Sequence, residues 1–267
     1  MQAENEINDG PVAPSPSKTE EPKEEPQMSE VGTLGNIFFE PENTFRDLKR
    51  KPRFILAGII IALLVGAYSV ALSSKIGETA MRSYVAEQLD KRAPNLDKET
   101  KEKNVDLQMT IGKYTRFAVP VFVLISFLLG GLLYWLGAKA FGGSGGFLEN
   151  LSVWVYSGFA PGVVSLLASF VVMALKSADD IDLAASQRGL VQQYTNLGFL
   201  FGPDHNILAT LISTFDIFAV WGWILAAIGL RVTNKLSKGS AFAVVLIIAV
   251  IGVIFRLIGS MLSGNPA

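Results

Sequence analysis

Residues 54–72 read FILAGIIIALLVGAYSVAL, nineteen consecutive residues without a charged side chain. A bilayer core about 30 Å thick needs roughly 20 apolar residues in a helix that rises about 1.5 Å per residue. Because lipid offers the backbone no hydrogen-bond partner, a run of this length is predicted to be a transmembrane helix. The run starts more than fifty residues after Met1, which favours a membrane span over a cleaved signal sequence.

Four further runs satisfy the same length criterion. They cover residues 117–140, 151–175, 207–230 and 241–262. The sequence therefore predicts an all-α polytopic membrane protein, in which residues 54–262 form a bundle of five transmembrane helices surrounded by the lipid bilayer.

The composition agrees with a membrane protein, because 18% of the residues are charged and 50% are hydrophobic, whereas soluble domains carry about a quarter charged residues. Residues 1–30 hold eight acids and two lysines, a net charge of −6, so a whole-chain charge of −1 leaves +5 on residues 31–267. These values argue against a soluble enzyme and a nucleic-acid partner, and the absence of cysteine excludes a disulfide scaffold.

Residues 1–30 are rich in Pro, Glu, Ser and Lys and lack aromatic residues. Such a segment buries too little apolar area to offset the entropy of ordering it, so a disordered tail is predicted. It is either an acidic docking arm or a solvating tail.

The distribution of Lys and Arg near the membrane ends predicts the orientation. Basic residues precede the first span and occupy the turn between spans four and five, and the C-terminal residues 263–267 have none. The N-terminus is therefore expected inside and the C-terminus outside. The basic residues in the loop 73–116 oppose this orientation, but the loop also carries seven acids.

Two segments outside the spans show helical spacing. In 31–53, an amphipathic stretch is followed by a short helix over 44–50 with Asn43 as its expected cap. This segment either lies on the inner membrane surface against anionic lipid or packs against the inner ends of the bundle. Loop 73–116 is expected to form a helical hairpin that continues spans one and two into the outer compartment, as a solvated connector or a partner-binding surface.

Motifs for catalysis, cofactors and metals are not evident. Gly142–Gly146 matches the GxSxG pattern, but His205 is expected on the opposite side of the membrane from Ser144, so the pattern is interpreted as a flexible turn. Three aspartates in 179–182 suggest a helix start more strongly than a cation site, because a calcium loop needs a defined spacing that is missing. No catalytic residue, cofactor or metal ligand is therefore predicted.

Two charged residues lie within the predicted spans, where a charge costs at least a few kcal/mol. Asp216 and Arg256 are expected at similar depths from the outer face, about 13–14 Å and about 9 Å from it at the helical rise. We therefore predict an ion pair between adjacent helices. Two alternatives stay open: Arg256 reaching the outer surface, and a pathway for protons or substrate.

The stretches 133–162 and 221–257 resemble the Yip (Ypt/Rab-GTPase-interacting protein) domain family. The matching features are the glycine-rich turn with Gly142 and Gly143, Tyr156 and Pro161 in the following helix, and the turn that contains Gly239. The lead-in NIFFEPENTFRDLKRKPRF is similar to that of bacterial members, and the resemblance covers about residues 36–262.

The resemblance implies a five-span protein of the bacterial cytoplasmic membrane whose family motifs serve packing and turns rather than chemistry. The expected function is a non-enzymatic scaffold that binds other membrane or cytoplasmic proteins, with membrane organisation as the expected process. The alternative is a small transporter or permease subunit, which would need broken helices around a site in the middle of the membrane.

Overall fold

The computed structural model describes residues 25–186, 189–200 and 206–263. Every regular element in these ranges is a helix, and the predicted all-α bundle is confirmed. Five helices are long and apolar enough to cross a membrane: α3 (Ile55–Ile76), α5 (Lys98–Ala140), α6 (Phe147–Leu175), α10 (Ile217–Asn234) and α11 (Lys238–Ser263). The predicted tail lies mostly in residues 1–24, outside the described part of the chain.

Shorter helices connect and flank these spans. They are α1 (Glu30–Asn36), α2 (Pro41–Arg50), α4 (Glu78–Arg92), α7 (Leu183–Ser186), α8 (Gln192–Thr195), a 3₁₀ turn (Gly198–Leu200) and α9 (Asn206–Ser213). Below, the end of the bundle with α1 and α2 is called the N-terminal side, and the end with α4 is called the hairpin side.

Helix α6 lies at the centre of the bundle and packs against α3, α5 and α10, while α11 packs against α10, α9 and α5. Glycine permits the closest of these approaches. A Cβ atom added to Gly131 of α5 would lie 2.8 Å from the Cα atom of Leu151 in α6. Since lipid supplies no hydrophobic drive between helices, such close backbone contact is a main source of packing energy.

The hairpin consists of α4 and the first part of α5. Helix α5 begins after Asp97, whose carboxylate accepts a hydrogen bond from the Thr100 amide at 2.9 Å. The two arms are joined by an ion pair between Arg82 and Asp106 at 2.5 Å and by another between Lys101 and Asp90. With 43 residues, α5 is about 64 Å long and runs without a break from the hairpin into the bundle.

The N-terminal segment packs against the bundle, which is the second of the two alternatives considered for it. Ile37, Phe45 and Leu48 are completely buried, and α2 lies against α10 and α6. The expected cap at Asn43 is wrong. Helix α2 starts at Pro41, because proline has no amide hydrogen to lose at the first helical position.

The fourth apolar run, expected as one helix over 207–230, is divided. Helix α9 ends at Ser213 and α10 begins at Ile217, so the chain is not helical at Asp216. A short polar side chain such as Asp competes for backbone hydrogen bonds and favours a helix start over a helix interior. The hydropathy of the run does not reveal the break, because both halves are apolar.

Candidate functional site

Buried polar side chains gather where the fourth span is broken. This polar cluster combines residues of α6, of the chain between α7 and α9, of α9 itself and of the break. Its members with little exposed surface are Ser165, Ser169, Asn196, Thr210, Ser213, Thr214 and Asp216. An accumulation of this kind inside an apolar bundle is a candidate functional site.

Irregular backbone enters the bundle at this cluster. The amide of Leu190 donates to the Tyr68 hydroxyl at 3.1 Å, and the amide of Val191 donates to Ser169 Oγ at 3.2 Å. Gln192 Nε2 donates to Ser165 Oγ at 2.7 Å. Ser165 lies ten residues before the end of α6, about 15 Å along its axis. Non-helical backbone at such a depth is tolerated because protein groups satisfy its hydrogen bonds.

Asp216 is the N-cap of α10. Its carboxylate accepts a hydrogen bond from the Phe218 amide at 2.8 Å and another from the Thr195 hydroxyl. A negative charge at a helix N-terminus is favoured by the helix dipole. The buried carboxylate therefore has both a structural role and hydrogen-bond partners.

Arg256 of α11 reaches the same break in the fourth span. Its guanidinium donates to Thr214 Oγ1 at 3.1 Å and to Ser213 Oγ at 3.3 Å, and it interacts electrostatically with Asp216. The structure thus brings both predicted intramembrane charges to one place. Their direct pairing stays a prediction, because the hydrogen bonds described here run to the two hydroxyl groups.

A second polar site, the glycine-turn junction, lies on the N-terminal side. Gly142 has a φ of +80°, which favours glycine, and the Gly143 amide donates to the Ala138 carbonyl at 2.7 Å. Ser144 donates to the Asn234 carbonyl through its amide at 3.0 Å and through its hydroxyl at 3.3 Å. The turn between α5 and α6 is thereby fixed to the end of α10.

The model of the Yip1 domain family matches residues 35–259. The chain belongs to the Yip1 domain family. It is also similar to the membrane protein YknW of Bacillus subtilis, with 22% identity over 244 residues that cover 88% of this chain and 93% of the relative. No solved structure matches the chain. The resemblance inferred from the two turns is therefore confirmed.

The positions that carried this resemblance have separate roles in the Yip1 domain. The Tyr156 hydroxyl donates to Thr33 Oγ1 at 3.3 Å and so connects α6 to α1. Pro161 lies inside α6, opposite Gly222 of α10. Gly239 is in the first turn of α11, where an added Cβ would meet only Ser237 Oγ, at 3.9 Å. These residues do not form one site, and each contributes to packing or a turn.

Sequence reasoning missed the buried polar residues of the glycine-turn junction. Asn150 and Asn234 are buried and exchange side-chain hydrogen bonds of 3.1 and 2.9 Å. Sequence reasoning also missed the buried ion pair between Asp47 of α2 and Arg53. Asn150 and Arg53 directly precede apolar runs, and Asn234 follows one within four residues. A polar residue is expected at the membrane surface in such places, so the sequence carries no signal of burial.

The last positions considered in the sequence are the possible metal ligands and the residues of the GxSxG pattern. In the described part of the chain, no three His, Cys, Asp or Glu residues are arranged to hold a metal ion. Asp180 accepts a hydrogen bond from Ser177 Oγ at 2.5 Å, and this bond lowers the pKa of its carboxyl group. His205, expected on the opposite side of the membrane from Ser144, lies outside the described residues.

Proposed function

We propose that this Yip1-domain chain is a non-enzymatic scaffold of the bacterial cytoplasmic membrane that binds other proteins. The observation that carries the proposal is the uninterrupted helix α5, which belongs both to the hairpin and to the bundle. Two interhelical ion pairs keep α4 against it. The hairpin is thus held rigidly by the membrane domain, as a binding surface for a partner needs to be.

The N-terminal side supports the same proposal. Helix α2 is anchored by the buried Phe45 and by an ion pair between Glu42 and Arg231 of α10. Residues 1–24 precede this anchored segment and carry five glutamates and one aspartate. A fixed base with an acidic extension is suited to recruiting a basic partner.

We also propose that the N-terminus is cytoplasmic and the hairpin extracytoplasmic, as the basic residues before α3 favour. The chain has no cysteine, so single substitutions Lys51→Cys and Glu99→Cys give unambiguous labels. In intact cells a membrane-impermeant maleimide is expected to label the Glu99→Cys variant and to label the Lys51→Cys variant only after lysis. The reverse pattern would overturn the orientation.

Photo-crosslinking tests the scaffold function. A photoreactive residue replaces Leu107, which is 56% exposed on the hairpin, or Leu128, which is 52% exposed within the span. If the chain is a scaffold, we expect the photoreactive residue at position 107 to give one defined protein adduct in cells and the residue at position 128 to give none. The proposal is wrong if the two positions give the same adducts, or if removing residues 1–24 and disrupting the hairpin leaves every co-purifying protein bound.

Transport is the second candidate function, and the broken fourth span favours it. Discontinuous helices that place charged residues in the membrane are typical of substrate and ion sites. Proton flux into pyranine-loaded proteoliposomes under an imposed potential is the direct test. Flux that is lost in Asp216→Asn but kept in the loop variant Asp180→Asn would establish transport, and equal background rates in all three proteins would exclude a proton pathway through Asp216.

A further inference from the structure

A cavity of about 340 Å³ opens between α3, α4, α5 and α7 on the hairpin side. Every residue that lines it is uncharged. Val65, Leu72 and Val119 contribute apolar surface, and Tyr68 and Ser69 contribute hydroxyl groups. Its volume is at the lower end of the range for ligand sites, about 300–1,000 Å³.

The depth of this cavity places it beside lipid chains. A Cβ atom added to Gly66 would lie 2.8 Å from Pro120 Cγ. Gly66 of α3 and Pro120 of α5 therefore lie at the same depth in the bundle. Val65 and Val119 are their immediate neighbours in the chain and line the cavity. Since the apolar run of α5 begins at Phe117, the cavity starts within the hydrocarbon layer.

Tyr84 of α4 also lines the cavity. Burial, followed by the negative charge of nearby Asp182, raises the pKa of its phenol above the ordinary value of 10.0. The phenol is therefore neutral at physiological pH. A ligand in this cavity meets an apolar surface with a few neutral polar groups.

A second cavity, of about 420 Å³, continues from the first toward the membrane surface. The two cavities share Ser73 and Met81. The second is lined by Lys113 and Arg116 and by one acid, Glu78, which gives the lining a net charge of +1. Both cations belong to the turns of α5 that immediately precede its apolar run.

We propose that the two cavities together bind one anionic phospholipid from the leaflet on the hairpin side. An acyl chain fills the uncharged cavity, and the phosphate group lies between Lys113 and Arg116. Burying the chain contributes the hydrophobic effect, and the cations contribute charge-assisted hydrogen bonds to phosphate oxygens. The order of the cavities matches the order of groups in a lipid, with the apolar part deeper and the anionic part at the surface.

Native mass spectrometry of the full chain in detergent tests this site with added phosphatidylglycerol or phosphatidylcholine of identical chains. The wild-type chain is expected to retain phosphatidylglycerol about fivefold better than phosphatidylcholine. One net positive charge near the membrane favours an anionic lipid by that factor. Lys113→Gln with Arg116→Gln is expected to abolish the preference. The control Lys91→Gln with Lys103→Gln removes two exposed charges of the hairpin that line neither cavity.

A second pair of variants tests the acyl-chain cavity. Ser69→Leu fills the cavity, and Ala67→Leu adds the same side chain to an exposed position of α3. Retention of phosphatidylglycerol is expected to fall severalfold in the first variant and to stay unchanged in the second. Val119→Phe fills the cavity from α5 and replaces Ser69→Leu if that variant does not fold. The proposal is overturned if cavity-filling and control variants bind equally, or if the headgroup preference survives loss of both cations.

Discussion

Asn150 and Asn234 show how single residues connect the ends of the spans. Each amide group donates to the other, and Asn150 Nδ2 also donates to the Gly146 carbonyl at 2.8 Å. The Asn234 carbonyl meanwhile accepts two hydrogen bonds from Ser144. A buried amide is costly when unpaired, so the two residues depend on one another and together fix α6 to α10.

We expect Asn234→Leu to lower the free energy of unfolding by about 1–3 kcal/mol, because it leaves the Asn150 amide buried without its partner. The double variant with Asn150→Leu should cost less than the sum of the two single changes. Reversible unfolding in mixed micelles measures these values. Gln108→Leu, at an exposed hairpin position, is the control with an expected change within about 0.5 kcal/mol. Additive costs would show that the two amides act independently.

The predicted ion pair between Asp216 and Arg256 is also tested by a double-mutant cycle. Asp216→Asn keeps an N-cap residue and removes the charge, while Arg256→Gln removes the opposite charge. Each single change is expected to destabilise the bundle by about 3 kcal/mol, because it leaves one charge uncompensated inside the protein. Thermal unfolding of the double variant should show a coupling of at least about 1 kcal/mol. A cycle without coupling would contradict the pair.

At the scale of elements, helix contacts in the bundle differ in how closely the backbones approach. Gly130 faces the ring of Trp154, which a Cβ atom would overlap at 1.9 Å, and Gly131 faces the Leu151 backbone. Gly158 of α6, by contrast, has open space around it. The structural role of a glycine in an apolar run therefore depends on the neighbouring helix and not on the local sequence.

Substitution of two glycines distinguishes a glycine at a close helix contact from one in open space. Gly131→Ala is expected to destabilise the bundle by about 1–3 kcal/mol, because the backbone of Leu151 has to move. Gly158→Ala makes the same chemical change without a contact, and its expected effect is within about 0.5 kcal/mol. Unfolding of both variants in the same detergent gives the comparison. Equal losses of stability would mean that glycine acts here through chain flexibility and not through close packing.

The whole molecule includes the N-terminal segment as a structural part. Phe45 is completely buried and lies against Gly229 of α10, where an added Cβ would be 3.0 Å from its ring. In the same segment, Arg53 pairs with Asp47 and donates to the Met28 carbonyl at 2.6 Å. Residues that precede the first span thus belong to the core, and deletion of residues 1–53 would remove part of that core.

Phe45→Ala is expected to cost about 3–5 kcal/mol and to release the N-terminal segment. Limited trypsin digestion of the full chain should then cleave at Arg46 and Lys49 much faster than in the wild type. Phe39→Ala is the matched control, because Phe39 is 85% exposed and its loss leaves no cavity. Unchanged cleavage in Phe45→Ala would show that the segment is held by other contacts.

The all-α class and the five membrane spans followed from the sequence alone. Both depend on the length and hydropathy of continuous runs such as 54–72, and a helix is the only way for such a run to satisfy its own backbone in lipid. The Yip1 family followed from local turns and prolines, which are equally contiguous in the chain.

Tertiary structure alone decided the features that depend on distant partners. Asp216 starts α10 instead of continuing a single long helix, because Thr195 and the Phe218 amide satisfy its carboxylate. The amphipathic segment with Phe45 lies on α10 instead of lipid. Hydropathy does not distinguish the protein interior from lipid, because both surroundings are apolar. Whether a side chain meets protein or lipid is determined by contacts between residues far apart in the chain, which no local pattern contains.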